Sequence, residues 1–218
     1  MSDSLATEIL AALPQTQCTR CGYPDCAGYA QAITQGQAAI NQCPPGGAEG
    51  IQRLAMITGQ PMVPLNPTHG IEGPRAVAII DENWCIGCTL CIDVCPTDAI
   101  LGSNKLMHTV IEAHCTGCEL CLPVCPVDCI SIHNVTGQTS GWAAWSPQQA
   151  DAARIRYEFR SNRFKRIESE GLKRVENTLT EMSKGISAHA QIADSVQTDK
   201  KRAVVEAALA RARAKNQP

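Results

Sequence analysis

VAIIDENWCIGCTLCIDVCPTDAILGSN, residues 77–104, is followed by MHTVIEAHCTGCELCLPVCPVDCISIHN, residues 107–134, at an offset of 30. The two stretches share Glu82/Glu112, Gly87/Gly117, Leu90/Leu120, Val94/Val124, Pro96/Pro126, Asp98/Asp128 and Ile100/Ile130. Such self-similarity is the mark of an internal repeat. Each half reads as a short strand, a cysteine loop, a helical turn and a second short strand. Strands are predicted at Val77–Ile80, Ala99–Leu101, Thr109–Ile111 and Cys129–Ile132, where apolar and β-branched residues cluster between turn residues.

Both halves carry C-x2-C-x2-C-x3-C-P, the signature run of bacterial two-cluster ferredoxins. A [4Fe–4S] cube needs four thiolates arranged tetrahedrally. Three cysteines two residues apart wrap one loop around three irons, and the fourth is directed to the other cube. One predicted site is therefore Cys85, Cys88, Cys91 and Cys125, and the other is Cys115, Cys118, Cys121 and Cys95. Gly87 and Gly117 are expected to let backbone N–H groups approach the sulfurs, and Pro96 and Pro126 to end the turn after the fourth cysteine. Zinc also takes four thiolates, but the doubled motif argues against it.

Outward from the repeat, the 13 Cys of the 218-residue chain fall in three groups of four, with Cys129 left over. The first group is Cys18, Cys21, Cys26 and Cys43, spaced C-x2-C-x4-C-x16-C. Spacing alone leaves zinc and a [4Fe–4S] cluster equally open there. Tyr29–Ile33 is predicted to form a helix beside this group, with Tyr29 as a packing residue. Cys129 stands where the first repeat has Ala99 and is expected to be a small buried hydrophobe. Trp84 and His114, one before the first ligand of each half, are expected to pack. The five histidines show no paired ligand spacing.

Composition agrees with metal as the staple. Aromatic residues make up only 4% of the chain, so few large side chains are available for a core, and bound metal can supply folding free energy. No signal peptide is expected from the first residues, and no apolar run of membrane-spanning length is present, since Leu5–Leu13 is far too short. The expected compartment is cytoplasmic, where thiols stay reduced and dense cysteines indicate metal rather than disulfides.

Charge splits the chain. Up to Trp145 there are 4 Lys/Arg against 12 Asp/Glu, and from Ser146 onward 15 against 9. The basic tail is rich in good helix formers. Leu172, Val175, Leu179, Met182 and Ile186 recur at helical spacing, and a second helix is predicted from about Thr198 to Ala214. The tail's interleaved acids and few aromatics argue against nucleic acid. No hydrolytic triad, P-loop or Rossmann glycine motif is present, and no small-molecule substrate is expected.

The predicted fold class is α+β. Residues 1–47 form a small N-terminal Fe–S domain, and 48–74 a Pro/Gly-rich linker with a short helix from Ala48 to Ile57. Residues 75–136 form a two-cluster ferredoxin-like domain built from a βαβ repeat, and 146–218 a basic helical tail.

LPQTQCTRCGYPDCAGYAQAI, NQCPPGG and the two repeat stretches together resemble the B subunit of the Rnf/Rsx electron transport complex. The resemblance covers roughly residues 5–145, and the CxxCGYPxCxxYAxAI block makes it specific. It implies that Cys18, Cys21, Cys26 and Cys43 hold a third [4Fe–4S] cluster. It also implies an electron relay without a catalytic site of its own, whose partners are redox proteins, including flavin-bearing membrane subunits. Peripheral contact with the cytoplasmic face of the membrane would follow. In place of the family's usual hydrophobic anchor this chain shows only Leu5–Leu13, so a stand-alone ferredoxin, or the wire subunit of a different oxidoreductase, is the alternative expectation.

Overall fold

The structure is a computed structural model, and it describes residues 2–189 and 195–215. It divides into two compact units, residues 1–160 and 161–218.

The first unit begins with three helices, α1 (Ser2–Ala11), α2 (Cys26–Thr34) and α3 (Gly47–Thr58). Asp25 caps α2: its backbone is extended and its carboxylate accepts a hydrogen bond from Gly28 N at 2.6 Å. This satisfies one of the orphan N–H groups of the first turn. α3 ends at Gly59, whose φ of 69° supplies the left-handed C-cap. Ile9, Leu13, Tyr29, Ile33, Ile40, Ile51 and Leu54 form one buried cluster. The helix expected within the Pro/Gly-rich stretch is therefore α3, and it packs into the core made by α1 and α2.

After α3 the chain runs as a strap. Asn66 N donates to Asn41 O at 2.9 Å, Asn41 Nδ2 donates to Pro64 O at 2.7 Å, and His69 Nδ1 lies 3.0 Å from Arg20 O.

The repeat follows as four strands: β1 (Ala76–Ile80), β2 (Ile100–Leu101), β3 (Thr109–Val110) and β4 (Ile130–Asn134). All four predicted strands are present within a residue or two. β1 pairs antiparallel with β4 from Ala76↔Asn134 to Ile80↔Ile130, and β2 pairs antiparallel with β3. Each ladder thus joins the start of one half to the end of the other, and neither half is a closed unit. The halves also match in backbone: Gly87/Gly117, Thr89/Glu119 and Asp98/Asp128 are pairs of residues with positive φ at equivalent positions.

The repeat is not complete. Helix α4 (Leu90–Val94) follows the cysteine loop in the first half only. Asp93 N donates to Thr89 O there, whereas its counterpart is Pro123, which has no N–H to give.

Gly117 is required by its surroundings. Its φ is +63°, and a Cβ would sit 2.3 Å from Ala76 O. Gly87 is under the same constraint, with Leu106 N 2.5 Å from the would-be Cβ. The reason for these glycines is thus close approach of neighbouring backbone, β1 for Gly117 and the turn before β3 for Gly87, as well as a left-handed turn.

Beyond β4 the chain returns to the N-terminal helices. A 3-10 turn, Gly141–Ala144, buries Trp142. Its indole N–H donates to Ala12 O at 2.9 Å, and the Arg53 guanidinium stacks 4.0 Å from its ring centroid. The Glu72 carboxylate accepts from Ala48 N at 2.8 Å, within the first turn of α3, and from Ser140 Oγ at 2.8 Å. A carboxylate at a helix start is favoured by the helix dipole.

Helix α5 (Pro147–His189) opens by packing on this body. Ala150 and Ala153 are buried, Tyr157 Oη donates to Asp25 Oδ2 at 2.8 Å, and Arg160 reaches Asp98 and the Asp93 carbonyl.

The second unit holds the rest of α5 and α6 (Ser195–Lys215), the two helices expected of the tail. Within it Leu172 and Leu179 are half-buried, Val175 and Met182 are exposed, and Val205 and Leu209 are buried. The side chain of Ile186, and residues 190–194 and 216–218 of the predicted tail, lie outside the described set.

Trp142→Ala should cost about 3–5 kcal/mol of unfolding free energy, the range for emptying a buried large aromatic. Trp142→Phe should cost about 1 kcal/mol, mainly the lost hydrogen bond. Denaturant titration reads both. Ending the chain after Trp145 should lower the melting temperature while leaving bound iron in place, because that cut removes Tyr157 and Arg160 but no cysteine. Ending it after Arg160 should leave both unchanged.

Candidate iron–sulfur sites

Cys95 of the first repeat and Cys115, Cys118 and Cys121 of the second line one small cavity. Ala78, Ala99, Ile100, Val110 and Ile132 supply small or apolar side chains to its wall, beside Thr97, Thr116, Gly117 and Glu119. The structure thus brings together the four residues predicted for this site, here called site II. It does so because each ladder pairs opposite halves. Two backbone donors address the sulfurs: Ala78 N to Cys115 Sγ at 3.3 Å and Ala99 N to Cys95 Sγ at 3.2 Å.

The repeat produces a second arrangement of the same kind, site I, around Cys85, Cys88, Cys91 and Cys125. His108 N donates to Cys85 Sγ at 3.3 Å, the counterpart of the Ala78 bond. The backbone N–H groups of Val127, Cys129 and Asp128 address Cys125. Three contacts here have no equivalent at site II. His108 Nδ1 lies 3.3 Å from Cys91 Sγ, Cys129 Sγ lies 3.5 Å from Cys125 Sγ, and Cys129 also hydrogen-bonds Cys85. His108 is only 1% exposed. Cys129 is a half-buried free thiol set against the Cys125 sulfur, more than the small apolar residue the sequence predicts.

In the N-terminal module Cys18, Cys21 and Cys26 are buried and Cys43 nearly so. Cys26 N donates to Gln17 Oε1 at 2.9 Å, and Gln17 Nε2 donates to Gln15 Oε1 at 3.2 Å. Gln15, Thr16 and Gln17 are all buried, and Gln15, Gln17 and Thr19 have positive φ. Spacing arguments missed these residues. The available signal was the polar run PQTQ next to an apolar helix. Tyr29 is a packing residue as expected, only 1% exposed, its hydroxyl donating to Ala39 O at 2.7 Å and accepting from Gln42 N at 3.1 Å.

Burial governs the thiols. It pushes Cys91 up to about 11 and Cys118 and Cys121 up to about 12, with the neighbouring cysteines of the same site adding to the rise. Cys118 feels Cys95, Cys121 and Cys115, which are the members of site II. Burial likewise raises Cys26 and Cys43, helped by the other N-terminal cysteines. Cys125 is the exception. Burial opposes ionisation there too, but the N–H groups of Val127, Cys129 and Asp128 and the Cys129 thiol hold it below the ordinary range. Groups that must be anionic to ligate, yet sit where a lone anion is disfavoured, call for a positive partner. Iron supplies that charge, and four sulfurs around an apolar cavity fit a cube.

The surroundings of the two repeat sites differ. Over site II, Thr116 Oγ1 donates to Thr16 O at 2.9 Å, and Arg20 pairs with Glu119 at 2.7 Å. The N-terminal module therefore sits on that face. The equivalent face of site I carries Trp84, Ile86, Leu106 and Met107, all exposed, Trp84 by 69%. The packing expected of Trp84 is absent. Among the described residues no helix is long and apolar enough to cross a membrane.

Comparison with known proteins agrees with these sites. Residues 78–132 match the 4Fe-4S dicluster domain family, and residues 13–45 match a family described as a putative Fe-S cluster. The B subunit of the ion-translocating oxidoreductase complex from Azoarcus sp. (strain BH72) is 61% identical over 110 residues, half of this chain and 60% of its own length. Its counterpart from Thiobacillus denitrificans is 58% identical over 107 residues, 49% of this chain and 57% of its own length. The one from Alkalilimnicola ehrlichii is 51% identical over 152 residues, 69% of this chain and 81% of its own length. The chain thus spans less than two thirds of the first two relatives. No solved structure matches. At this identity and coverage, the chain belongs to the family of B subunits of ion-translocating oxidoreductase complexes.

Proposed function

We propose that this chain is the electron-relay subunit of an ion-translocating oxidoreductase complex of the Rnf type, holding three [4Fe–4S] clusters. Cys85, Cys88, Cys91 and Cys125 hold one, Cys95, Cys115, Cys118 and Cys121 the second, and Cys18, Cys21, Cys26 and Cys43 the third. The observation that carries the reading is the single cavity lined by cysteines of both repeats in the crossed combination. Bound there, the clusters supply one-electron redox chemistry without bond making or breaking on the protein. The chain's own residues bring the thiolates together, exclude water with apolar walls, and direct N–H donors at the sulfurs. Cluster rather than zinc at the N-terminal group is supported by the match of residues 13–45.

The arrangement has a polarity. The N-terminal module covers site II, and site I lies under the exposed apolar face of Trp84, Ile86, Leu106 and Met107. An electron path through the subunit then has one end at the N-terminal module and the other at that open face. Its partners are redox proteins, flavin-bearing subunits among them, met at the cytoplasmic side of the membrane.

Anaerobically prepared protein should contain about twelve irons and as many sulfides per chain, from three cubes. Chemical analysis and EPR of the dithionite-reduced protein read this directly. About eight irons with one zinc would remove the N-terminal cluster, and a colourless zinc protein would overturn the reading altogether.

Loading should depend on pH. Cys91, Cys118 and Cys121 have raised pKa values, so below about pH 8 they carry protons that cluster assembly must release. Iron retention should therefore fall as pH is lowered. The cluster-free fold should show the opposite trend. The raised thiols contribute stability below the unfolded value of about 8.5, and it is lost as pH rises towards about 11 to 12. Parallel melts of loaded and stripped protein test both signs.

A further inference from the structure

The repeat relates the two ladders residue by residue, so any difference at equivalent positions around the two sites stands out. Residue 108 is equivalent to residue 78, and each donates its backbone N–H to the first cysteine of its site, Cys85 and Cys115. Residue 129 is equivalent to residue 99, which donates its N–H to the fourth cysteine, Cys95. Residue 129 likewise addresses Cys125 through its N–H. Site II has alanine at both positions. Site I has His108 and Cys129, and each side chain reaches a sulfur of its site.

His108 occupies a place shaped for it. A Cβ on Gly102 would lie 2.1 Å from the imidazole Cδ2. Gly102 is the equivalent of Ile132, which pairs with Ala78 across β1 and β4. One ladder thus sets a large residue beside a small one as Ile132 against Ala78, and the other reverses the order as Gly102 against His108. A ligating thiolate can only accept, so the Nδ1 atom facing Cys91 carries the proton. Nε2 is buried without a hydrogen-bond partner. Cys129 is outside the ligand set, so its S–H donates to Cys125.

Resting on the function proposed above, we infer that His108 and Cys129 are redox-tuning residues that make site I the higher-potential member of the pair. One-electron reduction adds one negative charge to a site. Hydrogen bonds donated to the sulfurs stabilise that charge, and they are one of the factors that set cluster potentials. At these two repeat positions the backbone donors are matched between the sites, and the side-chain donors of His108 and Cys129 are added at site I alone. Electrons arriving from the N-terminal module through site II are drawn to the site beneath the open apolar face.

The test is an EPR-monitored potentiometric titration of the full-length protein, with iron and sulfide measured on every sample. The variants are His108→Phe, which fills the space without donating, and Cys129→Ala, which installs the residue of the other site. His108→Asn, which restores a donor near the Nδ1 position, is the rescue. In the double variant His108→Phe/Cys129→Ala, the higher potential of the ferredoxin pair should fall by at least tenfold in its reduction equilibrium, about 59 mV for one electron. The lower potential should stay in place. His108→Asn should keep most of the native value. Cys129→Ala alone should give a smaller fall, and it remains readable even if the histidine variants lose iron. An unmoved higher potential at full iron content, or a fall in the lower one instead, overturns the inference. A wild-type protein lacking iron would instead overturn the function on which it rests.

Discussion

Buried thiolate is the constraint on which the rest of this molecule depends. Each site gathers four sulfurs where water is scarce, and four adjacent anions in such a place repel one another as well as suffering desolvation. Without a cationic centre the thiols retain their protons, as the upward shifts of Cys91, Cys118 and Cys121 express. The fold tolerates the arrangement by directing N–H groups at sulfur and surrounding the site with apolar strands. Metal binding and folding are then two sides of one equilibrium. This also explains how a chain with so few aromatic residues maintains a core: Cys91, Cys95, Cys115 and Cys121 are themselves members of the buried cluster, with Val77, Ile80 and Ile130.

The crossed grouping of the cysteines and the crossed strand pairing are the same fact seen at two scales. β1 pairs with β4 and β2 with β3, so the strands entering and leaving each half are held by the other half. Cys95 is carried across in the same way, into a site whose other three sulfurs belong to the second repeat. The two repeats therefore fold as one cooperative body. The N-terminal module is tied to that body at three places: Thr116 on Thr16, Arg20 on Glu119, and Trp142 under Ala12. The first and last of these are buried, and burial makes a polar contact specific, since a missing partner would leave a desolvated group unsatisfied.

Much of this was legible in the amino-acid order because cysteine spacing is a direct imprint of cluster geometry. The positions of β1 to β4, a helix over Tyr29–Ile33 that lies within α2, and the existence of α3 could all be read from it or from periodicity. What escaped was of a different physical kind. Gln15 and Gln17 are polar residues whose side chains are used to satisfy buried backbone and each other, and polarity alone suggests a surface loop. The packing of α3 against α1 and α2 was concealed by the prolines and glycines around it. His108 escaped because histidines were searched for ligand spacing, whereas this one meets a ligand's sulfur rather than a metal. The repeat alignment did contain the clue, as Ala78 against His108 and Ala99 against Cys129.

A perfectly twofold ferredoxin domain would offer two equivalent faces and no preferred direction. Three departures from symmetry remove that equivalence. The N-terminal module covers only the site II copy of the face, where Thr116 replaces Ile86 and Glu119 replaces Thr89, exchanging an apolar and a neutral residue for two that bind the module. Pro123 in place of Asp93 prevents in the second half the helical turn that the first half forms as α4. Gly102 and His108 reverse the order of sizes of Ile132 and Ala78 and place an imidazole beside the Cys91 sulfur. Each change is small and leaves the ladders intact, which is why the two halves still share their pattern of positive φ. Together they turn a repeated scaffold into one with distinct ends, and a relay needs distinct ends if electrons are to leave by a different face from the one at which they arrive.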